Sequence, residues 1–203
     1  SIRDYGLINP PILRQRSDGN YAVVCGFRRI TAVEALGWSQ ITARVVAEAV
    51  SEIRLLKLAI SDNRSHRDLN VIEQAHGIRK LAALQDDMDP DAMASLLGFP
   101  ANKRVFQKIK ALGVLPEAIQ EGVLQGRISF EAAVDLTAFS SAETMAFFDL
   151  LAPLRLSQNK EKEVIAMVRE IAKREDVTVF EVLGAGKIRD IADANDVNRN
   201  EKT

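Results

Sequence analysis

The sequence holds one cysteine, Cys25, and two histidines, His66 and His76. A single thiol excludes a disulfide framework, and one thiol with two imidazoles cannot build a Cys/His zinc cage. No apolar run approaches the ~18 residues of a membrane-spanning helix, and no secretory leader is visible. A soluble, cytoplasmic protein with no membrane partner is therefore expected. Neither a fixed-period repeat nor a low-complexity tract interrupts the 203 residues, a length that suits one large domain or a few small ones. An excess of either charge is also missing: 27 Lys+Arg stand against 28 Asp+Glu, a net charge of −1. That balance excludes a histone-like polycation and, as an average, counts against a nucleic-acid partner. An initiator methionine is absent too, as expected of a piece excised from a longer chain.

What is present is a 47% hydrophobic fraction, ample for a packed core, whose patterning changes along the chain. Ile12-Leu13-Arg14 and Tyr21 to Cys25 read as two strands across the turn Ser17-Asp18-Gly19-Asn20. A helix carrying Ile30, Val33, Ala35 and Leu36 should stop at Gly37. Ile41 to Val46 reads as a further strand, and Ser51 as the cap of a helix with Ile53, Leu56, Leu58 and Ile60. From residue 70 strand signals largely cease. Asn70 with Glu73 three residues on forms an Asn version of the capping box, opening a helix with Ile72, Ala75, Ile78, Leu81 and Ala82 on one face. A third section begins with the apolar stretch Met145 to Leu154. It continues through a helix using Val164, Ile165, Val168 and Ile171 and a short segment, Val177 to Leu183, that should stop at Gly184-Ala185-Gly186. A polar tail follows from Asp193. Charge is uneven: +3 over residues 1–70, and −2 over each of 71–140 and 141–203.

Val23-Val24-Cys25-Gly26-Phe27-Arg28-Arg29-Ile30 reads as strand, glycine turn and helix start. Two arginines in a first helical turn oppose the macrodipole, which favours anions there. A phosphate held by both guanidiniums and the open N–H groups would remove that penalty. The alternative is that the arginines face solvent or pair with Asp62, Asp68 or Glu52. Asp62-Asn63-Arg64-Ser65-His66-Arg67-Asp68-Leu69-Asn70 adds a carboxylate and an amide, hard oxygen donors of the kind Mg²⁺ prefers, beside basic groups. Its plain alternative is a solvated linker ending in a helix cap.

Together these segments resemble the ParB family of chromosome- and plasmid-partition proteins. Gly6-Leu7-Ile8-Asn9-Pro10-Pro11 is similar to the family's opening G-L-x-x-P segment, and Gly26-Phe27-Arg28-Arg29-Ile30-Thr31-Ala32 to its G-E-R-R-x-x-A box. Asp62-Asn63 through Asp68-Leu69-Asn70 to Glu73 resembles the E-N-x-Q-R-x-D-L-x-x-x-E box. The resemblance spans about residues 1–140 and implies a nucleotide switch using CTP and Mg²⁺. On it, Gly26, Arg28 and Arg29 would hold the nucleotide's phosphates, Arg67 would also bind the nucleotide, Gly6 would border the base, and Asn63 would face both nucleotide and Mg²⁺. Asp62 would stand at the family's catalytic glutamate, with at most weak CTP hydrolysis. Phe27 at the box glutamate, the shorter Asp62, and His66 in place of arginine (Arg67 is one step late) depart from the pattern; they bear on hydrolysis and on preference for CTP. The family is also described as nuclease-like, but no paired carboxylates or His-rich cluster supports cleavage. Sulfiredoxin shares the superfold, yet Phe27 occupies the position of its catalytic cysteine. Cys25, closing a strand pattern, reads as a packed small hydrophobe.

Asp91 to Pro100 followed by Asn102 to Leu112 has helix-turn-helix form, with Ala94 at the close approach and Gly98 at the turn. Val105, Ile109 and Leu112 should bury the second helix. Asn102, Lys103, Arg104, Gln107 and Lys108 should face outward, where such side chains reach phosphates and base edges of double-stranded DNA. Leu115-Pro116-Glu117-Ala118-Ile119 and Gly126 to Ala133 again resemble the family, with Ala132 near its histidine position; Phe147, Phe148, Leu150 and Leu151 read as core. The expected fold is α+β: a small mixed ParB-like nucleotide-binding domain over 1–69, a helix-turn-helix domain over 70–140, and a helical C-terminal segment over 141–203. The expected function is that of a nucleotide-regulated, DNA-binding homodimer in partition, with a ParA-type ATPase as a further partner the resemblance implies. The alternatives are a helix-turn-helix transcriptional or phage-type regulator without nucleotide, and a metal-dependent nuclease.

Overall fold

The computed structural model describes residues 2–184, so the expected stop at Gly186 and the polar tail lie outside the described residues. The fold is α+β and forms two compact units, one ending at Phe106 and the other beginning at Gln107. In the first, β1 (Ile12–Gln15) and β2 (Tyr21–Cys25) make the antiparallel hairpin. Its turn is pinned by the Asn20 N–H, which donates to the Asp18 carboxylate at 2.9 Å and holds that carboxyl below its ordinary range. β3 (Arg44–Val46) adds parallel to β1, giving the order β2-β1-β3. The strand expected from Ile41 starts instead at Arg44. The apolar pattern extends further back, but Arg44 brings the ladder into register, its N–H meeting the Pro11 carbonyl at 2.9 Å.

The short α1 (Ile2–Tyr5) touches α2 (Phe27–Ala35). The long α3 (Glu52–His66) lies on β2 and also meets α4 (Val71–Leu84) and α5 (Pro90–Leu97), which pack on each other. Ser51 occupies the N-cap of α3 but makes no side-chain cap bond. α4 does open with the reciprocal box: the Glu73 N–H donates to Asn70 Oδ1 and the Asn70 N–H to Glu73 Oε2, each at 2.9 Å. Leu55 and Ile60 from α3, Ile78 and Leu81 from α4, and Leu97 from α5 are buried beside Ile12, Cys25 and Val33. A Cβ at Gly77 would collide with Leu97 Cδ2, so the α4–α5 approach depends on the missing side chain. α5 ends at Gly98, whose φ of 84° is left-handed. The Arg64 guanidinium donates to the exposed Ser95 and Leu96 carbonyls there, at 2.8 and 3.0 Å, placing a cation at the negative helix end.

α6 (Lys103–Leu112) runs across the division between the units. The second unit continues with α7 (Glu117–Leu124), α8 (Phe130–Leu136), α9 (Ser141–Leu154), α10 (Gln158–Glu175) and α11 (Val179–Gly184). Phe147, Phe148 and Leu151 of α9 are buried, as is Ala132, while Leu150 is half-buried. Glu161 is also buried, and its carboxylate accepts the Ser129 N–H at the start of α8 at 3.2 Å. No helix among the described residues is long and apolar enough to cross a membrane.

Candidate functional site

The three sequence boxes meet at one side chain. Gly26 is the N-cap of α2 with φ 92°, a left-handed conformation that turns the chain sharply out of β2. A Cβ there would lie 2.9 Å from Pro11 Cβ and 3.0 Å from Arg29 Nε, so glycine permits both the turn and the close approach. Arg29, three residues on, folds back over that space. Its Nη1 donates to the Asn9 carbonyl at 2.8 Å and the Pro10 carbonyl at 3.3 Å, and its Nη2 donates to Asp62 Oδ2 at 2.7 Å. Arg29 and Asp62 are both largely shielded, their side chains retaining 18% and 22% exposure. The opening segment, the glycine-arginine box and the end of α3 thus form one hydrogen-bonded joint. Cys25 is buried under it; burial first, then the Asp62 carboxylate, push its thiol up to about 11, with Arg29 opposing. Such a thiol is protonated and inert at neutral pH.

The remaining box residues frame this joint differently. Arg28 is exposed and has no partner among the described residues, and no side chain caps the N-terminus of α2. Phe27, beside it, is 63% exposed. Asn63 is exposed with its side-chain amide uncommitted among the described residues. Gly6 sits at φ 72° just before the Asn9-Pro10 carbonyls. Arg67 is held elsewhere: it donates to both Glu73 oxygens, at 2.7 and 2.5 Å, and to the Asp68 carbonyl. The Arg67 hydrogen bond holds the Glu73 carboxyl below its ordinary range, while Arg67 itself shifts up. Of the two box arginines, Arg29 therefore pairs with Asp62, one of the alternatives open from sequence, and Arg28 stands free to meet an anion. Among the described residues no three His, Cys, Asp or Glu side chains gather as a metal cage. A Mg²⁺ ion at Asn63 would need ligand phosphate oxygens to complete its shell, a common arrangement for this ion.

The carbonyl-only acceptors Asn9 and Pro10 were not legible as site residues, because no side chain marks a carbonyl's role. Lys110 carries the same basic signal as the expected outward-facing side chains; it is exposed and shares a helix face with Lys103 and Gln107.

On α6, Asn102 caps the helix, its Oδ1 accepting the Arg104 N–H at 2.9 Å and the Val105 N–H at 3.1 Å. Asn102, Lys103, Arg104 and Gln107 are exposed. Two expectations need correction. Phe106, not Val105, is buried along with Ile109 and Leu112, its ring tilted against the buried Phe99 ring with centroids 6.2 Å apart; Val105 is half-buried. Lys108 does not face solvent freely: at the edge of the buried stripe, its Nζ donates to Glu131 Oε1 and Oε2 at 2.7 and 2.5 Å. Lys162 Nζ approaches the same carboxylate at 3.8 Å.

A family model for the ParB N-terminal domain matches residues 1–64. A nucleoid occlusion protein of Geobacillus thermodenitrificans (strain NG80-2) is 29% identical over 187 residues, covering 92% of this chain and 60% of that protein. The chain spans about half the length of the curated relatives it matches, from 47% to 60%. The C-terminally truncated chromosome-partitioning protein ParB of Caulobacter crescentus, complexed to the centromeric parS site, is similar at 22% identity and TM-score 0.48, covering 77% of this chain and 81% of that one. The same protein complexed with CTP-gamma-S gives 23%, a TM-score of 0.30, and coverage of 74% and 81%.

Proposed function

We propose, from the premise that residues 1–64 match the ParB N-terminal domain model, that this ParB-like chain is a DNA-binding protein of the partition or nucleoid-occlusion kind whose N-terminal domain binds CTP. The observation that supports this most is the joint at Arg29, where the opening segment, Gly26 and Asp62 converge beside the unpaired Arg28. In this reading Arg28 and the uncapped N–H groups of α2 take the phosphates, and Asp62 positions Arg29 beneath them. Gly6 and its neighbours border the base. Asn63 contributes one oxygen to Mg²⁺, which supplies charge neutralisation to the phosphates when bound. Arg67 must leave Glu73 before it can contribute. Any CTP hydrolysis is weak, because the Asp62 carboxylate is tied to a cation and is no free base. The exposed face of α6, Asn102, Lys103, Arg104 and Gln107, meets double-stranded DNA, and Lys110 joins it. A second copy completes a homodimer, and a ParA-type ATPase is the further partner that a partition role entails.

The test is calorimetric titration of the purified chain with CTP, ATP and GTP, each with Mg²⁺. Saturable binding of CTP, lost in Arg28→Ala and Arg29→Ala and weakened in Asn63→Ala, is the expected result. The Arg29–Asp62 pair favours a second reading, a helix-turn-helix regulator without nucleotide, since one box arginine is already neutralised. Retained DNA binding with no heat from any nucleotide would establish that reading and overturn the first.

A further inference from the structure

A second concave site lies in the first unit and shares no residue with the Arg29 joint. A groove of about 570 Å³ runs between β3 and α3. Val46, Val50 and Leu58 give it an apolar floor, while Arg44, Arg54 and Lys57 stand around it. Among the described residues no carboxylate lines the groove. None of the three cationic side chains has a hydrogen-bond or ion-pair partner among the described residues, although Lys57 is half-buried. Three like charges around one apolar groove, with no counter-ion beside them, set up a positive local field that favours an anionic ligand. Among the described residues no carboxylate lies in the groove to answer it.

The backbone beside the groove is equally open. β3 is an outer strand of the sheet and pairs only with β1, so its far edge has no strand partner among the described residues. Val45 on that strand is 52% exposed. A free edge beside an apolar trough is the setting for strand addition, in which main-chain hydrogen bonds give affinity and alternate side chains give selectivity. Arg44 sits on the edge itself, repelling basic segments and attracting acidic ones. A nucleic acid suits the site less well: among the described residues no aromatic ring lines the groove on which a base could stack.

We propose that this groove binds an acidic, extended segment of a partner protein, which adds to the free edge of β3 with its carboxylates on Arg44, Arg54 and Lys57 and its alternate apolar side chains on Val46, Val50 and Leu58. The proposal stands independently of nucleotide binding. The probe is a fluorescent peptide of about eight residues, a usual strand length, in which aspartate alternates with valine. Its controls are a lysine–valine peptide, an aspartate–valine peptide N-methylated at alternate amides, and a labelled single-stranded oligonucleotide. Fluorescence anisotropy should show saturable binding of the acidic peptide, falling about tenfold in each of Arg54→Glu and Lys57→Glu and weakening with salt. The N-methylated peptide should bind far more weakly, because strand addition needs its N–H groups. Amide chemical-shift changes on titration should centre on Arg44, Val45 and Val46. Both variants lie on exposed or half-buried positions, and a circular-dichroism melt confirms that each is folded. Equal binding of the lysine–valine peptide, indifference to N-methylation, or no saturable binding would overturn the proposal. So would displacement of the peptide from the groove by the oligonucleotide.

Discussion

Arg29 carries more of the site than any other residue, and its geometry depends on a residue with no side chain. Substituting Gly26→Ala forces a Cβ into left-handed backbone, at about 1–2 kcal/mol, and into space 2.9 Å from Pro11 Cβ and 3.0 Å from Arg29 Nε. The expected outcome is a lower urea midpoint together with loss of CTP affinity beyond what the stability loss explains, measured on the same preparation. Glu73 makes a separate prediction. Its hydrogen bond with Arg67 holds its folded pKa below the ordinary 4.5. The folded state therefore binds fewer protons than the unfolded state as pH falls through that range. The stabilisation is present above about pH 4.5 and is lost as pH falls through the folded value. Urea titrations of wild type and Glu73→Gln should differ at neutral pH and converge in acid.

At the scale of elements, α6 separates the side chains proposed to face DNA from one that supports the fold. Lys103 and Arg104 are exposed, whereas Lys108 ties α6 to Glu131 on α8. Replacing Lys103 and Arg104 by alanine should weaken duplex binding and reduce the salt slope by about one for each phosphate left without its cation. Lys108→Ala should instead lower thermal stability and leave the slope nearly unchanged, a contrast readable from anisotropy titrations at several salt concentrations. The same helix shows what the sequence could and could not convey. Its existence, turn and basic character were legible because Gly98, the apolar spacing and the run from Lys103 to Lys110 are local signals. The swap of Phe106 for Val105 in the buried stripe turned on a tertiary partner, the buried Phe99 ring, that spacing along one helix cannot announce. The tie of Lys108 to Glu131 was invisible, since that partner lies 23 residues away. In the N-terminal unit the hairpin and the α4 capping box follow from turn and cap chemistry. The joint at Arg29 needed acceptors from Asn9 and Pro10 that no side chain announces, and β3 began late because strand partnership is not a local property.

For the molecule as a whole, near-zero net charge weighs less than its distribution. The first 70 residues carry +3 and the remainder compensates, so basic surface at Arg28 and along α6 coexists with an acidic scaffold. Non-specific attraction to DNA should therefore be modest and strongly salt-dependent. Nucleotide can regulate such a protein only by favouring one state over another, and linkage then requires CTP to change DNA affinity by the factor that DNA changes CTP affinity. The direct measurement is the affinity for a duplex pool randomised at its centre, taken with and without CTP and Mg²⁺, for wild type and Arg29→Ala. A CTP-dependent change in wild-type DNA binding that disappears in Arg29→Ala is the predicted result; DNA affinity indifferent to CTP in both proteins would contradict it.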